Sequence, residues 1–209
     1  YALDSASVHL RDIELDIPEG STCDDLGGEL AGGAVCDQDK VRIPGPFVID
    51  LVAGTSTPSL ADVRIPANTY KRIDFRVDDG VPGQGNVQAG DPLDDRSFVA
   101  RAGFDDNGTP ATLVLSLKFN EDVRFDDPAG IEVAAEAETL LVLLDATTWL
   151  VGVDIGQCIA DGDLQISGGE VMVDDNVSGG CSTVENTIKN NIKLNGQLDG
   201  SGFETASLE

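Results

Sequence analysis

Along residues 6–17 apolar and polar positions alternate, the period of an extended strand with one buried face. Ala6, Val8 and Leu10 share one phase, and Ile13, Leu15 and Ile17 resume it one residue late. A strand keeps a strict period of two, so the slip at Arg11-Asp12 predicts a β-bulge or two strands in succession. Residues 41–52 are strand-like too, with Phe47, Ile49 and Leu51 alternating around Val48, Asp50 and Val52. Pro44 and Pro46 cannot donate to a ladder, so this stretch should bend or follow an edge. Residues 55–59 read as a loop. Pro66 and Asn68 predict a turn, Pro66 by its fixed φ and Asn68 by its tolerance of the left-handed region. In the strand that follows, Tyr70, Arg72, Asp74 and Arg76 fall on one face and Lys71, Ile73, Phe75 and Val77 on the other.

Residues 78–96 hold little apolar material and read as a surface loop. Residues 97–104 and 111–119 read as two strands joined through Asp105-Asp106-Asn107-Gly108, where Asn-Gly is a hairpin signal. Short strands are expected at 123–125 and 131–133, and a buried strand at 138–144. Asp145 could cap a short helix over 146–151 that turns Trp149 inward. Residues 164–166 and 171–173 suggest a hairpin. Ser182-Thr183-Val184-Glu185 fits a capping box, Val184, Ile188 and Ile192 fall on one helical face, and Gly196 supplies a stop, so a helix is expected over about 183–195. The sum is one domain over 1–209: a mainly β, Ig-like or transthyretin-like antiparallel β-sandwich with long acidic loops and one C-terminal amphipathic helix.

Two segments carry a resemblance. Gly45-Pro46-Phe47-Val48-Ile49-Asp50-Leu51 and Ile65-Pro66-Ala67-Asn68-Thr69-Tyr70-Lys71-Arg72-Ile73 together resemble a family of exported bacterial proteins of unknown function, many of them lipoprotein-like. That family shows a strand ending in Asp-Leu and a Pro-Ala-Gly-x-Tyr turn that opens the next strand. Asn68 stands here where the turn usually has glycine. The similarity covers about the first two-thirds of the chain. It implies export and a sandwich fold, and brings no activity or site residues with it. A lipid anchor upstream of Tyr1 would suit it.

Charge narrows the partners. The 209 residues carry 13 Lys+Arg against 38 Asp+Glu, a formal net charge of -25. Such a surface repels phosphate backbones and anionic headgroups, which argues against nucleic-acid and membrane-surface binding. It favours solubility, cations and basic partners. No apolar run is long enough for a transmembrane segment. The opening Tyr1 without Met suggests a trimmed mature chain, and 208–209 read as vector-derived.

Cys23, Cys36, Cys158 and Cys181 form no C-x-x-C pair, and with one histidine a zinc site has little support. Four cysteines allow three pairings. Cys23–Cys36 and Cys158–Cys181 are favoured, since each closes a short Gly-rich polar loop, and they place the chain in an oxidising compartment: secreted, periplasmic or on the cell surface.

No catalytic residues stand out. There is no Gly-x-Ser-x-Gly elbow, and His9 is expected as an ordinary surface side chain on a polar strand face. Calcium is the metal worth considering, because it takes six to eight oxygens on turning backbone. Asp105, Asp106 and Asn107, and Asp174, Asp175 and Asn176, offer such oxygens on loops. Asp161-Gly162-Asp163 is a further cluster, and the tail from Asn195 to Ser201 matches only the front half of an EF-hand loop. The sequence therefore points to a non-enzymatic exported domain that binds or structures an unknown protein or envelope component. A calcium-dependent adhesion or scaffold module is the alternative, and a carboxylate-dependent glycoside hydrolase a weaker one.

Overall fold

A computed structural model describes residues 2–106, 108–133 and 148–195. Its strands are β1 (Ala2–Asp16), β2 (Val35–Asp37), β3 (Lys40–Asp50), β4 (Thr55–Thr57), β5 (Asn68–Val77), β6 (Phe98–Asp106), β7 (Thr109–Leu117), β8 (Glu121–Val133), β9 (Ile166–Ser167) and β10 (Glu170–Val173). Two α-helices follow the long strands, α1 (Ile155–Ala160) and α2 (Val184–Asn195).

β1 organises the architecture because it changes neighbours halfway. Its first half pairs with β6, from Ala2↔Gly103 to Val8↔Phe98, and its second half pairs on the same side with β5, from Leu10↔Val77 to Asp16↔Arg72. β3 lines its other side from Ser7 to Asp16. The register shifts between Leu10 and Asp12, where the alternation slipped. A bulge inserts one residue and re-aims the strand, so Ala6, Val8 and Leu10 share a buried face with Ile13, Leu15 and Ile17. One leaf runs β1–β6–β7–β10–β9 and the other β3–β1–β5–β8, and their apolar faces meet in a single core. The sandwich expected from the pattern is thus built from one continuous sheet rather than two separate ones.

That sheet is mixed, not purely antiparallel. β10 lies parallel to β7, with Val171 beside Leu113. The chain between them contains α1, long enough to return to the same end as a parallel pair requires. Residues 55–57, read as loop, form β4 against the end of β3. The two short strands expected around 123–133 are one strand, β8, with a register shift opposite Tyr70–Arg72. The prolines of β3 sit where the pattern needs them: β2 pairs with residues 40–42 and β4 with 48–50, leaving 43–47 without an outer partner. Gly45 lies there against the Leu10 and Arg11 carbonyls, with no room for a Cβ.

The turn before β5 works differently from expectation. Asn68 does not adopt a left-handed φ; its Oδ1 accepts from the Thr69 N–H at 2.8 Å. Tyr70, which alternation places with the charged residues, is fully buried, and its hydroxyl donates to the Pro66 carbonyl at 2.8 Å. Such a tyrosine corner ties an incoming turn to its own strand, a device of Greek-key sandwiches. Burial pushes its phenol up to about 12.

Helix α2 presents Val184, Ile188 and Ile192 to the core, as its spacing predicts. The capping box does not form: helical residues begin at Val184, and Glu185 pairs with Lys189 at 2.7 Å instead. Trp149 is buried edge-on against Phe98, 5.2 Å between ring centroids, and Asn191 of α2 donates to the Trp149 and Val151 carbonyls. Residues 148–151 form a turn, not an α-helix. The helix of this region comes later, as α1, N-capped by Asp154 through the Gln157 N–H. The strand expected at 138–144 and the cap at Asp145 lie outside the described residues.

Candidate functional site

Alternation turns Asp12, Glu14 and Asp16 of β1 away from the core, beside Arg72, Asp74 and Arg76 of β5, Lys40 and Arg42 of β3, and Arg124 of β8. The result is a lattice of ion pairs across four strands. Arg42 reaches Asp12 at 3.1 Å and Glu14 at 3.2 Å; Lys40 reaches Glu14 at 2.8 Å. Arg72 bridges Asp16 at 2.8 Å and Asp74 at 3.0 Å, and Arg124 takes the other Asp74 oxygen at 2.9 Å. Glu14 and Asp74 face each other directly, a repulsive pair offset by the cations around it. The long cationic stems lie over the acids, so Asp74 is only 7% exposed. Burial pushes the Asp16 carboxyl above its usual value, although Arg72 and Lys40 pull it down, and the hydrogen bond to Glu14 raises Lys40. Every carboxylate here is engaged, which suits this face to stabilisation rather than chemistry.

A second cluster lies where β1 changes neighbours. The His9 N–H donates to the Ser97 carbonyl, and the His9 carbonyl accepts from Asp78, so both roots of the 78–97 loop flank this residue. His9 is therefore not a surface side chain: it is 3% exposed, and Nδ1 donates to the Asp78 carbonyl at 2.9 Å. A sealed imidazole has no access to substrate, so it cannot serve as a general base for an incoming ligand. The signal for its burial was the bulge itself, since the strand changes partners there and chain closes over both faces. Around it, Arg11 pairs with Asp78 at 3.4 Å, and Lys118 with Asp95 at 2.7 Å. Arg96 joins Asp95 and Asp175, at 3.5 and 3.4 Å. The hydrogen bond from Lys118 holds the Asp95 carboxyl below the usual range, and burial pushes Asp79 above it.

The two oxygen clusters nominated for calcium are held apart. Asp105 and Asp106 end β6 at the start of β7, whereas Asp174 and Asp175 follow β10 beside the end of β7. Seven residues of strand separate these ends, roughly 23 Å at the rise of a β-strand. Asn107 lies outside the described residues. Asp105 accepts from the Gly108 N–H, Asp174 accepts from the Asn176 N–H at 2.9 Å, and the Asn176 amide reaches Asp174 and Asp175. These are turn-forming bonds. Asp163 secures a loop likewise, accepting from the Cys181 N–H at 3.0 Å. Among the described residues no group of three or more His, Cys, Asp or Glu converges as metal ligands.

The cysteines pair as favoured, Cys23–Cys36 and Cys158–Cys181, each with Cα atoms 5.9 Å apart. Beside the second lies an open groove of about 290 Å³, between α1 and the first turn of α2, lined by Asp154, Gln157, Asp161, Thr183 and Thr187 among others. The described side chains give a disulfide-stapled, mainly β domain with an ion-paired sheet face. No protein-family model, curated protein or solved structure matches the chain. No described helix is long and apolar enough to cross a membrane.

Proposed function

We propose that this chain is an exported domain, at the cell surface or in the periplasm, that binds or structures a protein or envelope component without catalysing a reaction. The observation that carries this reading is the pair of disulfides, with no free cysteine left. Each closes a polar loop, and such bonds persist in oxidising compartments. The sealed His9 and the ion-paired carboxylates of the sheet face support a binding rather than a catalytic role. Loops on a rigid β scaffold are the usual carriers of such contacts.

The test is production of the same chain with and without an export signal, followed by a thiol count in denaturant and an unfolding curve. The exported protein should show no reactive thiol and unfold cooperatively. The cytosolic protein should show four thiols and markedly lower stability. Equal stability of the reduced form would overturn the assignment to an oxidising compartment. Co-sedimentation of the exported protein with washed envelope fragments, competed by added salt, then tests the binding half of the reading.

A further inference from the structure

Four acids gather at the roots of the 78–97 loop, and three of them have a cation. Asp78 pairs with Arg11, Asp95 with Lys118 and Arg96, and Asp175 with Arg96. Asp79 has no ion pair among the described residues, and its Oδ1 is buried without a hydrogen-bond partner. It stands at the clasp of the loop. The next residue, Gly80, donates to the Arg96 carbonyl at 2.9 Å and accepts from the Asp95 N–H at 3.0 Å, joining the two strands of the loop. Gly80 packs so closely on Leu93 that a Cβ would collide with its carbonyl. Val87 and Leu93 are buried beneath, at 2% and 6% exposure, so the loop is a packed unit rather than a loose excursion.

We propose that Asp79 is a proton-operated latch on this loop, closing it more firmly when protonated and loosening it when ionised. An ionised carboxylate with one oxygen buried and unpartnered loses hydration that no hydrogen bond at that oxygen returns. Protonation removes the charge. The groups facing Asp79 do not reverse this. Lys118 attracts it but is committed to Asp95; Asp95 and Asp78 repel it; the Ser97 hydroxyl helps weakly, being bonded to the Leu117 carbonyl. On the β1 side, Arg11 is spent on Asp12 and Asp78, and the His9 ring on the Asp78 carbonyl. Arg96 is occupied by Asp95, Asp175 and Ser116.

The order of protonation follows. Burial raises Asp79 and the Lys118 hydrogen bond lowers Asp95, so acidification reaches Asp79 first and leaves the Lys118–Asp95 pair intact. A carboxyl raised in the closed loop favours closure below its closed value, and this contribution is lost as pH rises through that value. Each unit of elevation is worth up to tenfold in the opening equilibrium.

Amide hydrogen exchange on the full disulfide-bonded chain, corrected for the chemical rate at each pH, tests the latch. Between about pH 7 and pH 4, protection of residues 80–96 should rise several-fold in the wild type while the β6–β7 amides stay unchanged. Asp79→Asn, neutral and isosteric, should show the high protection already at neutral pH, with no further dependence. An unchanged pH response in Asp79→Asn, or falling protection on acidification, overturns the proposal. If that variant does not fold, the carboxyl carbon of Asp79 can be titrated by NMR in the wild type. A midpoint above about 3.9, coincident with the exchange transition, supports the latch, and a midpoint at or below it refutes it.

Discussion

At the scale of single residues, the best-defined prediction concerns Tyr70. Its hydroxyl satisfies the Pro66 carbonyl inside the core, so Tyr70→Phe keeps the ring and orphans the acceptor. An unmet buried polar group costs about 1–3 kcal/mol, which should appear as a lower urea midpoint with unchanged slope. The residues that sequence reasoning misplaced share one cause. Strict alternation puts Tyr70 and His9 on polar faces, yet both lie where the strand meets a turn or changes partner, and there the outward face is covered by chain. Asp79 could not be singled out among the 38 acids, because what distinguishes it is the absence of the cation its three neighbours have.

At the scale of elements, β3, β5, β6, β7 and α2 were legible from their apolar periodicity, whereas β8 read as two short strands. The bulge was legible for the same reason in reverse, as a single break in phase. β4, α1 and the parallel pairing of β10 were not, since each is short and held by tertiary contacts instead of by its own pattern. α1 is pinned by the Cys158–Cys181 bond, and the β2–β3 end of the sheet by Cys23–Cys36. Cross-links closing separations of 13 and 23 residues should each contribute about 3 kcal/mol. Replacing either pair by serine should therefore lower stability by about that amount in denaturant titrations, with the Cys158–Cys181 variant also losing exchange protection in α1.

For the whole molecule the governing fact is where the few cations are. Lys40, Arg42, Arg72, Arg76 and Arg124, five of the 13, lie on the sheet face already paired with acids. The remaining acids repel one another across the surface. Sodium chloride should raise the melting temperature over the first few hundred millimolar, because exposed repulsion is screened while partly buried pairs are screened less. Calcium and magnesium, compared after chelator treatment at equal ionic strength, should act alike, given that the nominated oxygens cap their own turns. A shift of several degrees specific to calcium would restore the alternative of a cation-dependent module.

The shared strand β1 has a consequence for biogenesis. It emerges before its partners, yet Val8 must wait for Phe98, roughly ninety residues later, and Leu10 for Val77. β3 and β5 can pair with the second half of β1 before β6 is made, but no stretch ending before β6 completes either leaf. Assembly of the sheet therefore lags its synthesis. A nascent chain arrested before β6 should be far more protease-sensitive than the whole chain, its first strand lacking the partner of its N-terminal half.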